Sequence, residues 1–319
     1  MNSLIVSVSP HIKTKDSCKR IMWSVVLALI PTGCAGVFIF GLSALKVIIV
    51  SLITALLTEA IIQKLRHKKT TISDGSCFIT GLLLAYNLPP SVPWWIPALG
   101  SFFAIAIVKH SFGGLGHNIF NPALAGRAFL VASSPRFMTN WTPPRWQIDT
   151  LTTATPLGII KEKISHPLPS YLQLFLGDRG GCIGEVCILA IICGALFLLC
   201  KGYIHWYTPF TFIFTLGILS WMFMGNTLFK GNWLFHLLSG GLFLGAFFMA
   251  TDYVTTPLTR RGQIIFGFGC GILTFLIRKF GGYPEGVSYS ILIMNAFTPL
   301  IDRYTKTKKF GYTKTPNPK

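Results

Sequence analysis

Charge is what this chain has least of. Only 12% of its 319 residues are Asp, Glu, Lys or Arg, about half the share that covers a soluble domain. That shortage excludes a soluble enzyme of one or two domains. It is also one-sided, with 10 acids against 28 Lys and Arg and a net charge of +18. Disorder is excluded in turn, because 51% hydrophobic and 13% aromatic residues bury too well to stay solvated. Cysteine pairing is missing as well. Cys18, Cys34, Cys77, Cys182, Cys187, Cys193, Cys200 and Cys270 lie mostly in apolar runs and contain no C-x-x-C pair, so they read as small hydrophobic packers with no metal or disulfide framework. No Gly-Lys-Ser/Thr phosphate loop occurs. Gly267, Gly269 and Gly271 spell G-x-G-x-G inside an apolar run, where close helix packing is expected.

What the chain does have is long apolar runs. A helix crossing the hydrocarbon needs about 20 mainly apolar residues. Candidate spans are Ile21–Gly41, Ala44–Gln63, Ser76–Leu88, Pro93–Val108, Ala123–Ser133, Cys182–Cys200, Trp206–Gly225, Leu234–Ala250, Gln263–Ile277 and Val287–Ile301. The expected fold is an all-α polytopic membrane protein of about ten transmembrane helices. Ser76–Leu88 and Ala123–Ser133 are too short for regular spans and are flanked by Gly, Pro and Asn, as interrupted membrane segments are. The first run follows a basic arm and reads as an anchor, not a cleaved signal.

In a soluble protein the basic excess would suggest nucleic acid. In an apolar chain it marks cytoplasmic loops, and no nucleic-acid partner is expected. Lys13, Lys15, Lys19 and Arg20 precede the first span, Lys64, Arg66, Lys68 and Lys69 follow the second, and Lys109, Lys201, Arg260, Arg261 and the tail from Arg303 fall on the same side. Both termini are therefore expected in the cytoplasm, with loop 134–181 outside. Phe112-Gly113-Gly114 recurs as Phe280-Gly281-Gly282 and Pro89 as Pro257, all at an offset of 168 residues. Two halves of five spans each must be inverted, a design that places its site between them. The expected division is 1–133 for the first membrane repeat, 134–181 for the outer loop, and 182–319 for the second repeat and a basic tail.

Acids in or beside apolar segments need a partner or a task. Asp74 and Asp252 are candidates for an ion path, with helix capping or interfacial hydration as the alternative. Glu59 and Glu185, near span ends, are expected to snorkel. The stretch from Lys109 to Pro122, with its glycines, Asn118, Asn121 and the following Arg127, suits either a buried cofactor or a plain turn. On composition alone a solute channel of the urea or ammonium type is an alternative function. The hydroxyl-rich run Asp149 to Gly158 reads as a turn before a short helix.

Several segments together resemble one family. They are Asp74-Gly75-Ser76 with Thr80 to Leu84 and Asn87 to Pro90; Gly113 to Ala123 with Gly126-Arg127; Phe247 to Asp252; Ile277-Arg278 with Gly281 to Val287; Met294-Asn295; and Pro299 to Asp302. The resemblance, from Ser7 to Gly311, is to the D subunits of Rnf ion-translocating electron-transport complexes and the related B subunits of sodium-pumping NADH–quinone reductases. It implies FMN held by a phosphoester on Thr155, within Thr152-Thr153-Ala154-Thr155-Pro156-Leu157. Thr153 stands where the family usually shows Gly, which leaves Thr152 and Thr153 as alternative acceptors. The resemblance further implies a non-covalent riboflavin and, as partners, the A, B, C, E and G subunits of such a complex. It also implies an extracytoplasmic flavin transferase and a multi-pass position in the cell membrane. Electrons would pass between reduced ferredoxin and NAD+ with Na+ or H+ moved outward, the chain itself binding neither nucleotide nor ferredoxin.

Overall fold

The computed structural model describes residues 16–67, 70–146, 154–162, 168–225 and 227–307, and every regular element among them is helical. Ser17 opens α1 (Cys18–Phe40) by accepting the Arg20 amide at 3.2 Å. Gly41, at φ 75°, turns the chain straight into α2 (Leu42–Leu65). A 3₁₀ turn at Ile72–Asp74 leads into α3 (Ser76–Tyr86). Its 11 residues reach about 16 Å, half of a hydrocarbon core of about 30 Å. After the Asn87–Pro90 turn comes α4 (Trp95–His110), which loosens to π geometry over Phe103–His110. Asn121 caps α5 (Pro122–Ser133). Three short helices follow, α6 (Pro135–Met138), α7 (Pro156–Glu162) and α8 (Tyr171–Leu176). The second half holds α9 (Ile188–Cys200), α10 (Tyr207–Phe223), α11 (Trp233–Leu238), α12 (Leu242–Leu244, continued by a π turn at Gly245–Met249), α13 (Arg260–Phe280) and α14 (Val287–Tyr304).

Two expected spans differ in the structure. Leu234–Ala250 is not one helix, because Gly240 and Gly241 take φ of 72° and 65° and break it into α11 and α12. Cys182–Cys200 is helical only from Ile188, since the preceding turn bonds Ile183 N to Leu88 O at 3.1 Å and Gly184 N to Tyr86 O at 2.9 Å. Among the described residues three helices, α1, α2 and α13, are long and apolar enough to cross a membrane.

The 168-residue offset between the Phe-Gly-Gly copies also relates the helices. Added to α3, α4 and α5 it lands on α12 with its π turn, on α13 and on α14; added to α1 and α2 it lands on α9 and α10. The halves meet through counterparts, α1 against α9 and α5 against α14. Within each half the equivalent pairs α2–α4 and α10–α13 pack together. In α13 the glycines allow this. A Cβ on Gly267 would overlap Thr211 Oγ1 and stand 2.6 Å from the Thr208 carbonyl oxygen. Gly267→Val is therefore expected to cost about 1–3 kcal/mol or more by overpacking, read as a fall in the thermal midpoint in detergent. Gly282→Val, where a Cβ meets nothing within 4 Å, should leave that midpoint unchanged.

The surface is inverted relative to a soluble protein. Leu27, Phe38, Leu42, Ile53, Leu57 and Ile61 on α1 and α2 are exposed, as hydrocarbon-facing side chains are. Beneath them lie Ser51, Glu59, Gln63, Lys109, Arg127 and Arg278, all buried.

Candidate functional site

Thr155 sits immediately before α7, and its Oγ1 accepts the Gly158 amide at 3.1 Å. Leu157 of α7 packs with Leu174 of α8 and Phe235 of α11, which ties the short helices to the bundle. Lys161 secures the other end by donating to the carbonyls of Gly281 and, at 3.2 Å, Tyr283. Partial burial pulls the Lys161 ammonium below the usual lysine range. So held, Thr155 is only 5% exposed and forms part of the wall of a cavity of about 1060 Å³. That is the size of a large cofactor pocket. Tyr283 and Tyr289 stack on one another in its lining with centroids 5.6 Å apart, and Trp141 contributes a third aromatic wall.

The polar part of the lining is a buried charge network. Arg127 of α5 pairs with Glu285 and donates to Asn87 Oδ1 at 2.9 Å and Ser288 Oγ at 3.0 Å. Arg179, also on the wall, donates to the carbonyls of Leu238 at 2.8 Å and Glu185 at 3.1 Å. Behind them Arg278 donates to the carbonyls of Glu285 (3.0 Å), His236 (2.6 Å) and Ser239 (3.0 Å). Cys182, Glu185 and Glu285 bring ligand-type atoms within 4.8 Å of one another. Arg127 lies 3.7 Å from Cys182 Sγ and pairs with Glu285, so a guanidinium already stands where a metal cation would.

A second, smaller cavity of about 90 Å³ lies between the halves, lined by Ser76, Thr80, Lys109, Asn118, Asn121 and Asp252 among others. Asn121 donates to Met249 O at 3.4 Å, which carries its helix cap across to the other half. Asn118 donates to Phe120 O at 3.1 Å and holds the Gly-rich turn, whose Gly113, Gly114 and Gly116 all have positive φ. Asn121 and Arg127 thus face different cavities, six residues apart on α5, about 9 Å along its axis. At the 168-residue offset, Arg127 with Asn87 corresponds to Asn295 with Thr255. With its side-chain amide turned so that each atom meets a matching partner, Asn295 donates to Thr255 O at 3.2 Å and accepts the Asn121 backbone amide at 3.1 Å.

The acids fall into different environments. Asp74 Oδ1 accepts both the amide and the hydroxyl of Ser76 at 2.8 Å, a cap at the start of α3. Asp252 accepts from Thr255 Oγ1 at 3.1 Å and faces the smaller cavity. The snorkelling expected of Glu59 and Glu185 does not occur, for both are buried. Glu59 takes Lys109 Nζ at 3.1 and 2.9 Å and Gln63 Nε2 at 2.7 Å, while Glu185 accepts the Cys182 amide at 3.2 Å. Lys109 accordingly is no loop charge. It is 2% exposed, because a buried carboxylate draws it inward. Ala154 lines the larger cavity, and Thr152 and Thr153 lie outside the described residues. Glu285, Arg179 and Arg278 have no signal of their own in the sequence. Only the resemblance draws attention to two of them.

Apolar helices with outward-facing hydrophobic side chains and buried ion pairs define a polytopic helical membrane protein. The model of the NQR2, RnfD, RnfE family matches residues 5–311. Over 320 residues, 97% of each chain, the sequence is 52% identical to the D subunit of the proton-translocating ferredoxin:NAD(+) oxidoreductase complex of Clostridium ljungdahlii. It is 50% identical over 314 residues, 98% of this chain and 96% of the relative, to the D subunit of the Na(+)-translocating ferredoxin:NAD(+) oxidoreductase complex of Acetobacterium woodii. To the D subunit of the ion-translocating oxidoreductase complex of Escherichia coli it is 38% identical over 349 residues, 97% and 99% of the two chains. The chain belongs to the NQR2, RnfD, RnfE family.

Proposed function

We propose that this protein is the D-type membrane subunit of an ion-translocating ferredoxin:NAD+ oxidoreductase complex and that it relays electrons through FMN carried on Thr155. The observation that carries this is the placement of the Thr155 hydroxyl, buried on the wall of a cavity of about 1060 Å³ beside the stacked Tyr283 and Tyr289 and the Arg127 guanidinium. The fit is chemical as well as spatial. A flat aromatic ring system needs aromatic and apolar walls with a few convergent donors, and the phosphoester needs one hydroxyl at the edge. When bound, flavin supplies one-electron and two-electron redox chemistry that no side chain here offers. The chain's own residues position the ring and shield it. Ser288 presents a hydroxyl and Arg127 a positive charge, the tyrosine pair supplies a face, and α7 closes the side.

The non-covalent riboflavin that the resemblance implies is not assigned to the smaller cavity, which at about 90 Å³ is well below the size of a cofactor pocket. Asp252, which faces that cavity, is a better ion-path candidate than Asp74, which already serves as a cap. Unchanged sodium dependence of pumping in Asp252→Asn complexes would remove it. The partners are the A, B, C, E and G subunits and a flavin transferase acting on the loop outside the membrane, with both termini in the cytoplasm. Family membership argues against the solute-channel alternative. The test is covalent flavin itself, co-expressed with the transferase. Wild type and Thr155→Ser should fluoresce in a denaturing gel and carry the mass of one FMN, and Thr155→Ala should do neither. Wild type without the added mass would sink the proposal, and a Thr155→Ala protein that retains it would move the acceptor to Thr152 or Thr153.

A further inference from the structure

The charges behind the larger cavity do not balance. Three guanidiniums, Arg127, Arg179 and Arg278, are buried to 8% exposure or less, against two carboxylates, Glu185 at 5% and Glu285, whose side chain is 12% exposed. Among the described residues, the other charged groups lining the cavity sit at its rim, the exposed Glu162 and the half-buried Asp178, which accepts from Trp146 Nε1 at 2.7 Å. His236 lies against Arg278 through its carbonyl. Guanidiniums stay protonated, so with both carboxylates ionised the buried cluster holds one cation more than it can neutralise. An unmatched buried charge is costly unless an anion is brought to it. Arg127 and Arg179 both open on the cavity, and so does Glu285.

We propose that this unbalanced wall sets the reduction potential of the ring that the cavity holds, with Arg127 and Glu285 as its two opposing controls. The proposal rests on the flavin reading above. Reduction adds negative charge inside a low-dielectric enclosure, and the surplus guanidinium is placed to receive it. Arg127 favours the reduced ring, and Glu285 moderates that preference by neutralising part of the same guanidinium. A change of charge at either residue therefore moves the potential in a direction fixed by Coulomb's law.

The experiment is a redox titration of the covalent flavin in the assembled complex, followed by absorbance, with loading measured separately by in-gel fluorescence. Glu285→Gln keeps the side-chain volume and removes the negative charge. It should move the midpoint positive, raising the reduced-to-oxidised ratio at least tenfold at fixed poise, 59 mV for a one-electron couple. Arg127→Gln should move it negative by a comparable amount. Arg127→Lys, which keeps the charge, should lie near wild type, and the pair Arg127→Gln with Glu285→Gln should largely cancel. Should Arg127→Gln fail to assemble, Arg179→Gln carries the same negative-going expectation. Loaded variants that shift in the same direction, or not at all, overturn the proposal. So does a fall in loading with an unshifted midpoint in the loaded fraction, which would make the wall a holder of the phosphoester. Wild type without any covalent flavin would overturn the flavin reading itself, a separate result.

Discussion

Replacing Lys109 with methionine is expected to destabilise the protein by about 3–5 kcal/mol, the cost of leaving a buried carboxylate without its counter-ion. Glu59 is 1% exposed and Lys109 2%, so water cannot take over the lost interaction. The ammonium spends its three donors on Glu59 Oε1 at 3.1 Å, Glu59 Oε2 at 2.9 Å and Ser76 Oγ at 2.8 Å. Without it, Glu59 keeps one hydrogen bond, from the neutral Gln63 amide at 2.7 Å, and the nearby His110 imidazole. His110 Nε2 stands 2.9 Å from Glu59 Oε2 but out of line for a hydrogen bond. The pair joins α2 to the π-loosened end of α4, beside the Gly-rich turn. The measurement is the thermal midpoint of the detergent-solubilised protein. Lys109→Met combined with Glu59→Leu should recover most of the loss, because two apolar side chains of similar volume replace a buried pair at little cost. A single Lys109→Met that costs no more than a surface substitution, within about 0.5 kcal/mol, would show that a protonated His110 or solvent takes over as the partner of Glu59.

Why this pair escapes the sequence is a matter of separation. Lys109 follows an apolar run and so falls in with the loop charges. Only the fold brings it to a carboxylate 50 residues away. Hydropathy finds the apolar helices, because lipid and protein interior both demand apolar runs, and the Phe-Gly-Gly offset carries α4 and α5 onto α13 and α14. The break at Gly240–Gly241 is not legible. Glycines inside an apolar run serve equally as close-packing contacts, as Gly267 does, and only the backbone's positive φ tells the two apart. At the candidate site, Arg127 and Asn121 are visible as polar residues within apolar surroundings, but not that they serve separate cavities. Thr155 is marked by the resemblance alone, since burial of a loop hydroxyl depends on what α7 packs against. Glu285 and Arg179 reach the site from segments with no periodic pattern.

The break itself leads to the second large effect. A helix interrupted inside a membrane protein exposes carbonyls that no water can satisfy. Here Arg278, projecting from α13, supplies the missing donors. It reaches His236 O at 2.6 Å, Ser239 O at 3.0 Å and Gly240 O at 3.4 Å around the end of α11, and Glu285 O at 3.0 Å. Arg278→Met leaves those acceptors unpaired at about 1–3 kcal/mol each, partly offset by no longer burying a charge, for an expected net loss above about 3 kcal/mol. Arg278→Lys should lose nearly as much, since one ammonium cannot span carbonyls spread around a planar fork. The consequence should reach the cofactor. A Cβ on Gly240 would overlap Leu157 of α7, so the broken turn is part of the surface on which α7, and with it Thr155, is seated. Arg278 variants should therefore show reduced covalent flavin in denaturing gels although Arg278 is not among the residues lining the larger cavity. Full stability with full loading in Arg278→Met would mean that the turn holds without its cation. Loading lost with stability intact would instead make Arg278 part of what the flavin transferase recognises.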